Sequence, residues 1–176
     1  LFCDATAEIG ADYYYRVIAH NSAGASSPSN PIGPVHPKEL WLIDDLLDSS
    51  LWDATSTNLQ IDKSYAHDAY LEDIAVVHRQ DLKHVGRLVY HLAGPLRSLS
   101  VTAFATETAP RFFLLDETGG KTEAPVRTVA YQEGKRARYT AAWPSNTATR
   151  LEIELPSAAD PKLALGRVEI SWVPAP

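Results

Sequence analysis

An all-β fold, an antiparallel β-sandwich of two sheets, is predicted by three observations. Short apolar runs recur with period two, clusters of Gly, Pro, Asn and Asp separate them at close spacing, and helical periodicity is nearly absent. The clearest run is 149–155, where Leu151, Ile153 and Leu155 share one face and Glu152 and Glu154 share the other. That is the pattern of a half-buried strand with a solvated outer face. The same period marks 86–92 (Leu88, Tyr90, Leu92), 98–105 (Leu99, Val101, Ala103) and 166–173 (Val168, Ile170, Trp172). Further strands are expected at 73–78, 111–116, 125–131 and 136–142, and Asp116-Glu117-Thr118-Gly119-Gly120 has the chemistry of a hairpin turn. Segment 39–52 fits a helical face through Leu40, Ile43, Leu47 and Leu51, but its aspartates and Ser49-Ser50 favour a strand followed by a loop.

Composition narrows the function. The chain has 176 residues, 45% of them hydrophobic and 22% charged, enough for one ordinary domain or for one domain plus a fragment of another. No apolar run approaches the roughly 20 residues of a membrane helix, so no membrane insertion is expected. The formal net charge of -6 repels polyanions and argues against nucleic acid as a partner. The charge is uneven: 1–38 hold 3 acidic and 2 basic residues, 39–81 hold 10 and 2, and 82–176 hold 9 and 12. A cation site therefore belongs in the middle segment. Cys3 is the only cysteine, which excludes an internal disulfide and cysteine-cluster zinc motifs. Without a Met, and opening at Leu1 in mid-pattern, the chain reads as a piece of a longer protein.

The first residues differ from the rest. Tyr13-Tyr14-Tyr15-Arg16-Val17-Ile18-Ala19-His20 is a strand, Asn21-Ser22-Ala23-Gly24 turns the chain, and 25–35 return as a Ser- and Pro-rich edge. Together with Leu1-Phe2-Cys3-Asp4-Ala5-Thr6, Gly10 and Ser27-Pro28-Ser29-Asn30, this stretch resembles the last three strands of a fibronectin type III domain. The resemblance implies a spacer, with Tyr13 or Tyr15 as its buried corner tyrosine. It sets the domains at 1–35 (partial fibronectin type III), 36–39 (linker) and 40–176 (β-sandwich accessory module).

The remainder resembles the accessory β-sandwich modules of secreted bacterial glycoside hydrolases, often carbohydrate-binding and galactose-binding-like, with a jelly-roll topology. The carriers are Ile43-Asp44-Asp45-Leu46, Leu88-Val89-Tyr90-His91-Leu92, Leu99-Ser100-Val101-Thr102-Ala103, Phe113-Leu114-Leu115, Leu151-Glu152-Ile153-Glu154-Leu155 and Leu165-Gly166-Arg167-Val168-Glu169-Ile170. The resemblance implies a secreted or extracellular, non-catalytic region, a bacterial cell surface included. Its expected partners are a polysaccharide or oligosaccharide and other domains of a parent enzyme. Two alternatives stand beside it: a cleaved chain of a glycoside hydrolase whose catalytic residues lie elsewhere, and a cell-surface adhesion module.

Sugar recognition needs aromatic faces for the apolar side of a pyranose and polar groups for its hydroxyls. Trp41, Trp52, Tyr65, Tyr70 and Trp143 fall in or beside expected loops, near Asn58, Gln60, His67, Asp68 and Asn146. The carbohydrate site is placed on Trp52, Tyr65, Tyr70, Trp143 and Asn146, with capping of the sandwich core as the competing role for each ring. Trp172 and Tyr90 are in phase with strand interiors. A structural calcium ion (Ca2+) is the second candidate: the resemblance to jelly-roll modules implies that Asp44, Asp45 and Glu169 share it, with solvated turn residues as the competing role, and the spacing is not that of an EF-hand. No catalytic residues are expected. Alternation alone puts Glu152 and Glu154 on one face, and no phosphate loop, nucleophile elbow or helical His pair is present. The basic residues Arg127, Lys135, Arg136 and Arg138 suit a solvated face better than a site for an acidic polysaccharide.

Overall fold

The computed structural model describes residues 7–63, 75–104, 106–131, 136–143, 145–157 and 161–173. Fifteen strands run through them: β1 (Tyr13–Tyr15), β2 (His20–Asn21), β3 (Gly24–Ala25), β4 (Ile32–Val35), β5 (Leu40–Asp44), β6 (Leu59–Asp62), β7 (Val76–Arg79), β8 (Gly86–His91), β9 (Leu96–Phe104), β10 (Arg111–Leu115), β11 (Lys121–Glu123), β12 (Arg127–Tyr131), β13 (Arg136–Ala142), β14 (Arg150–Leu155) and β15 (Leu165–Trp172). The described residues contain no helix. Two antiparallel sheets form the sandwich, one of four strands in the order β11-β10-β14-β8 and one of seven, β12-β13-β9-β15-β7-β6 with β5 also on β15. Segment 39–52 is strand then loop, as its composition favours. The strands β6 and β11 escape the sequence pattern because each has four residues or fewer, too short to show a period.

Alternation sets the core. Leu88 and Tyr90 of β8, Leu151, Ile153 and Leu155 of β14 and Phe112 of β10 face Leu99, Val101 and Ala103 of β9, Ala137 and Tyr139 of β13, and Val168 and Ile170 of β15 in one cluster. The Phe112 and Tyr139 rings meet at 5.5 Å between centroids. The expected hairpin at 116–120 joins β10 to β11. Asp116 Oδ1 accepts from the Thr118 amide, the Thr118 hydroxyl and the Gly120 amide, and Gly119 takes the left-handed φ of 85° that the turn needs.

One carboxylate ties the two sheets at the end where the loop after β5 begins. Asp44, the last residue of β5, is buried. Its Oδ1 accepts the Leu46 amide at 2.7 Å, and its Oδ2 accepts the Tyr90 hydroxyl at 2.7 Å and the Trp52 indole N–H at 3.0 Å. Tyr90 belongs to the other sheet, so the bond crosses the sandwich. The Leu46 bond is an Asx-type turn that holds Leu46 at φ 57°, unusual for a branched residue, and sends its side chain into the core.

The amino-terminal hairpin lies outside both sheets. Its strand β1 pairs β4 and β2 pairs β3, with Ser26 and Ser29 hydroxyls accepting the Ala19 and Val17 amides between them. Tyr13 and Tyr15 stack at 6.2 Å, but Val17 and Ile32 keep 68% and 66% of their surface exposed. A two-stranded ribbon with its apolar residues in water is marginal. The amides of 13–25 are therefore expected to exchange with deuterium within minutes in the dilute chain, while those of Val101 and Leu151 remain protected. Protection of the hairpin equal to that of the core would contradict this.

Burial above all, then the negative charge of Asp44, holds the Tyr90 phenol well above its usual 10.0. A raised folded value stabilises the fold fully below the unfolded value and loses that contribution as pH rises through the folded one. Urea melts should therefore show stability falling above about pH 10, and Tyr90→Phe should flatten that decline while lowering stability near pH 7 by about 1–3 kcal/mol.

Candidate functional site

Among the described residues, those expected to bind sugar, Trp52, Trp143 and Asn146, do not line one recess. Trp143 follows β13 directly, and its amide extends that strand's ladder onto Arg97 O at 2.7 Å. Its ring consequently turns inward and is 9% exposed, in the main core cluster. Trp143 is thus a core residue and not a loop platform. Asn146 is committed to the backbone: its side-chain amide donates to the carbonyls of Leu96 and Trp143, and its Oδ1 accepts the Ala148 amide at 2.7 Å. It shapes the wall of a recess of about 430 Å³ that also has Asp116, Glu117 and Thr122 on it and no aromatic ring. Tyr65 and Tyr70, with His67 and Asp68, lie outside the described residues. Trp41 stands on the outer face of the seven-stranded sheet opposite Ser171, on an open surface.

Trp52 has the surroundings the chemistry requires. It half-buries its ring against the core and lines a recess of about 330 Å³ with Ser49, Asp53, Ala54, Ser56, Thr57, Asn58, Leu59 and Gln80. Three devices hold the walls. The indole N–H is pinned to Asp44 as above. The Asp53 amide donates to Val89 O at 2.8 Å, and Thr57 bridges Arg87, so the loop runs as an added edge along β8. Asn58, at a left-handed φ of 54°, donates from its side-chain amide to the carbonyls of Asp81 and His84 and accepts the Asp81 amide at 2.7 Å, fixing the neighbouring loop.

Within this recess several polar ends are uncommitted. Among the described residues, the side chains of Ser49, Thr57 and Gln80 make no hydrogen bond. Asp53 spends Oδ1 on the amide and hydroxyl of Thr55, at 2.9 and 2.6 Å, and on an ion pair with Arg150, leaving Oδ2 available as an acceptor. Those bonds from Thr55, with Arg150 adding to them, hold the Asp53 carboxyl below its usual range. An aromatic ring among free hydroxyl, amide and carboxylate groups is the donor and acceptor set a sugar requires. Trp52 is legible in the sequence, whereas Ser49, Thr57 and Gln80 are not, because exposed Ser, Thr and Gln in loops carry no signal of their own.

The outer face of the four-stranded sheet is closed to stacking. One row across it is Val89, Glu152, Phe113 and Glu123. The Arg111 guanidinium sits 4.8 Å from the Phe113 ring centroid and the Lys121 ammonium 5.4 Å, so the ring is only 8% exposed. Glu152, expected on a solvated face, is 4% exposed beneath Lys121 and within 3.6 Å of Arg87, while Glu154 faces Arg111 at 3.8 Å. Long cationic side chains lie over the row and pair its carboxylates.

The residues proposed for calcium do not fit that ion. Asp44 has both oxygens occupied by three donors inside the sandwich. Asp45 and Glu169 flank Arg167, 3.1 and 3.5 Å from its Nε, so a guanidinium stands where the cation was expected. Among the described residues no three His, Cys, Asp or Glu side chains gather as ligands.

No protein-family model matches this sequence, and no curated protein matches it. Among solved structures, the chain is similar to the CBM22-1 and GH10 modules of the Clostridium thermocellum N-terminal endo-1,4-β-D-xylanase 10B, complexed with xylohexaose, at 12% identity and a TM-score of 0.39 over 71% of its length. It spans 26% of that chain. It is also similar to a mutant of CBM29-2, a family 29 carbohydrate-binding module, at 12% identity and a TM-score of 0.31 over 77% of its length and 89% of that chain. Both likenesses are too distant to transfer a residue or a ligand.

Proposed function

We propose that the sandwich is a carbohydrate-binding module and that its site is the Trp52 recess. The observation that carries this reading is the uncommitted hydrogen-bonding groups of Ser49, Thr57, Gln80 and Asp53 around a tryptophan whose own N–H is already satisfied. A pyranose brings one apolar face to the ring and hydroxyls to those groups. We further propose that the module is a non-catalytic accessory region of a secreted polysaccharide-degrading enzyme, with residues 1–35 as part of a fibronectin type III spacer. What supports this wider reading is the resemblance of Tyr13 to Gly24 to the end of such a domain.

Affinity electrophoresis of the chain through gels containing neutral polysaccharides tests the site. Trp52→Ala should weaken retardation by about tenfold or more in dissociation constant, the loss of one ring contact. Since Trp52 also packs on the core, Gln80→Ala serves as an exposed second variant and should cost about three- to tenfold. Unchanged retardation in both variants would move the site elsewhere, and no retardation on any polysaccharide would refute carbohydrate binding.

A further inference from the structure

Resting on the carbohydrate reading of the Trp52 recess, we infer that the site selects neutral glycans and rejects polyuronates, and that Asp53 makes the selection. Among the described residues, Asp53 is the one charged side chain that lines the recess, beside Ser49, Trp52, Ala54, Ser56, Thr57, Asn58, Leu59 and Gln80. Among the described residues no cation lines the recess. Arg150 approaches Asp53 on Oδ1 at 3.8 Å but is not part of the wall. The carboxyl is also kept ionised, by the Thr55 amide and hydroxyl on the same oxygen.

An ionised carboxylate only accepts hydrogen bonds. A neutral sugar offers it hydroxyl donors. A uronate unit brings a second anion into the same half-enclosed space, where opposition between like charges is poorly screened and no lining cation offsets it. The acidic segment 39–81 adds to the repulsion at longer range, so the local effect must be separated from the global one.

The test compares retardation of the full chain in gels of a neutral β-1,4-glucan and of polygalacturonate at low ionic strength. The wild-type chain is expected to bind the neutral polymer at least tenfold more tightly. Asp53→Asn, which retains a side-chain oxygen for Thr55, should narrow that ratio severalfold by admitting the uronate. Asp48→Asn removes the same charge from a loop position outside the recess lining and should leave the ratio unchanged. If Asp53→Asn does not fold, Asp53→Ser, which keeps a hydroxyl oxygen for Thr55 and removes the charge, should narrow the ratio in its place. Equal binding of the two polymers by the wild type, an unchanged ratio in Asp53→Asn, or the same shift in Asp48→Asn would each overturn the inference while leaving the carbohydrate reading in place. No retardation in either gel would overturn both.

Discussion

The Asp44 carboxylate, with its three hydrogen bonds, is the constraint on which the end of the sandwich and the candidate site both depend. A buried charge is costly to desolvate, and it is tolerated only when its lone pairs are occupied. Here the donors come from three parts of the chain: the adjacent loop at Leu46, the opposite sheet at Tyr90 and the recess wall at Trp52. Each hydrogen bond to a charged group is worth about 1.5–3 kcal/mol. Losing the acceptor would strand the buried Tyr90 hydroxyl and the half-buried Trp52 indole N–H, and release the turn that seats Leu46 in the core. The indole that lines the recess is thus posed by the same interaction that closes the sandwich.

This arrangement also explains why the site lies at the sheet margin. The four-stranded sheet has an aromatic residue on its outer face, but Arg111 and Lys121 cover Phe113 and neutralise Glu152 and Glu154. Its polar groups are satisfied by one another. In the loop beside β8 the backbone is held by Val89, Arg87 and the Asn58 side chain, while among the described residues the side chains of Ser49, Thr57 and Gln80 have no partner and can meet a ligand. Rigid backbone with unspent side chains is what a pre-formed binding site requires.

Period-two alternation made the core legible in the sequence, because burial of one face is imposed strand by strand. Leu151, Ile153 and Leu155 face inward as their spacing predicts, and so do Leu99, Val101 and Ala103. What alternation cannot show is what happens on the other face. Glu152 reads as solvated, yet cations from β8 and β11 bury it, a consequence of sheet register and not of its own strand. Trp143 reads as a loop residue because it lies just past the strand expected at 136–142, but one further ladder bond carries the strand to it. The resemblance to jelly-roll modules puts a cation on Asp44, Asp45 and Glu169. Asp44 ends β5 with its side chain inward and Asp45 begins the loop, so one meets Tyr90 in the core and the other meets Arg167 outside.

The most direct measurement is hydrogen exchange at the tryptophan indoles and backbone amides, followed by nitrogen-resolved NMR in the wild-type chain and in Asp44→Asn. Asparagine has one acceptor oxygen and cannot serve all three donors. The Trp52 indole N–H and the Leu46 amide should then exchange about tenfold faster or more in the variant, while Val101 and Leu151 stay protected. An indole N–H of Trp52 that exchanges at the same rate in both proteins would contradict the assignment of Asp44 as the group that poses the ring.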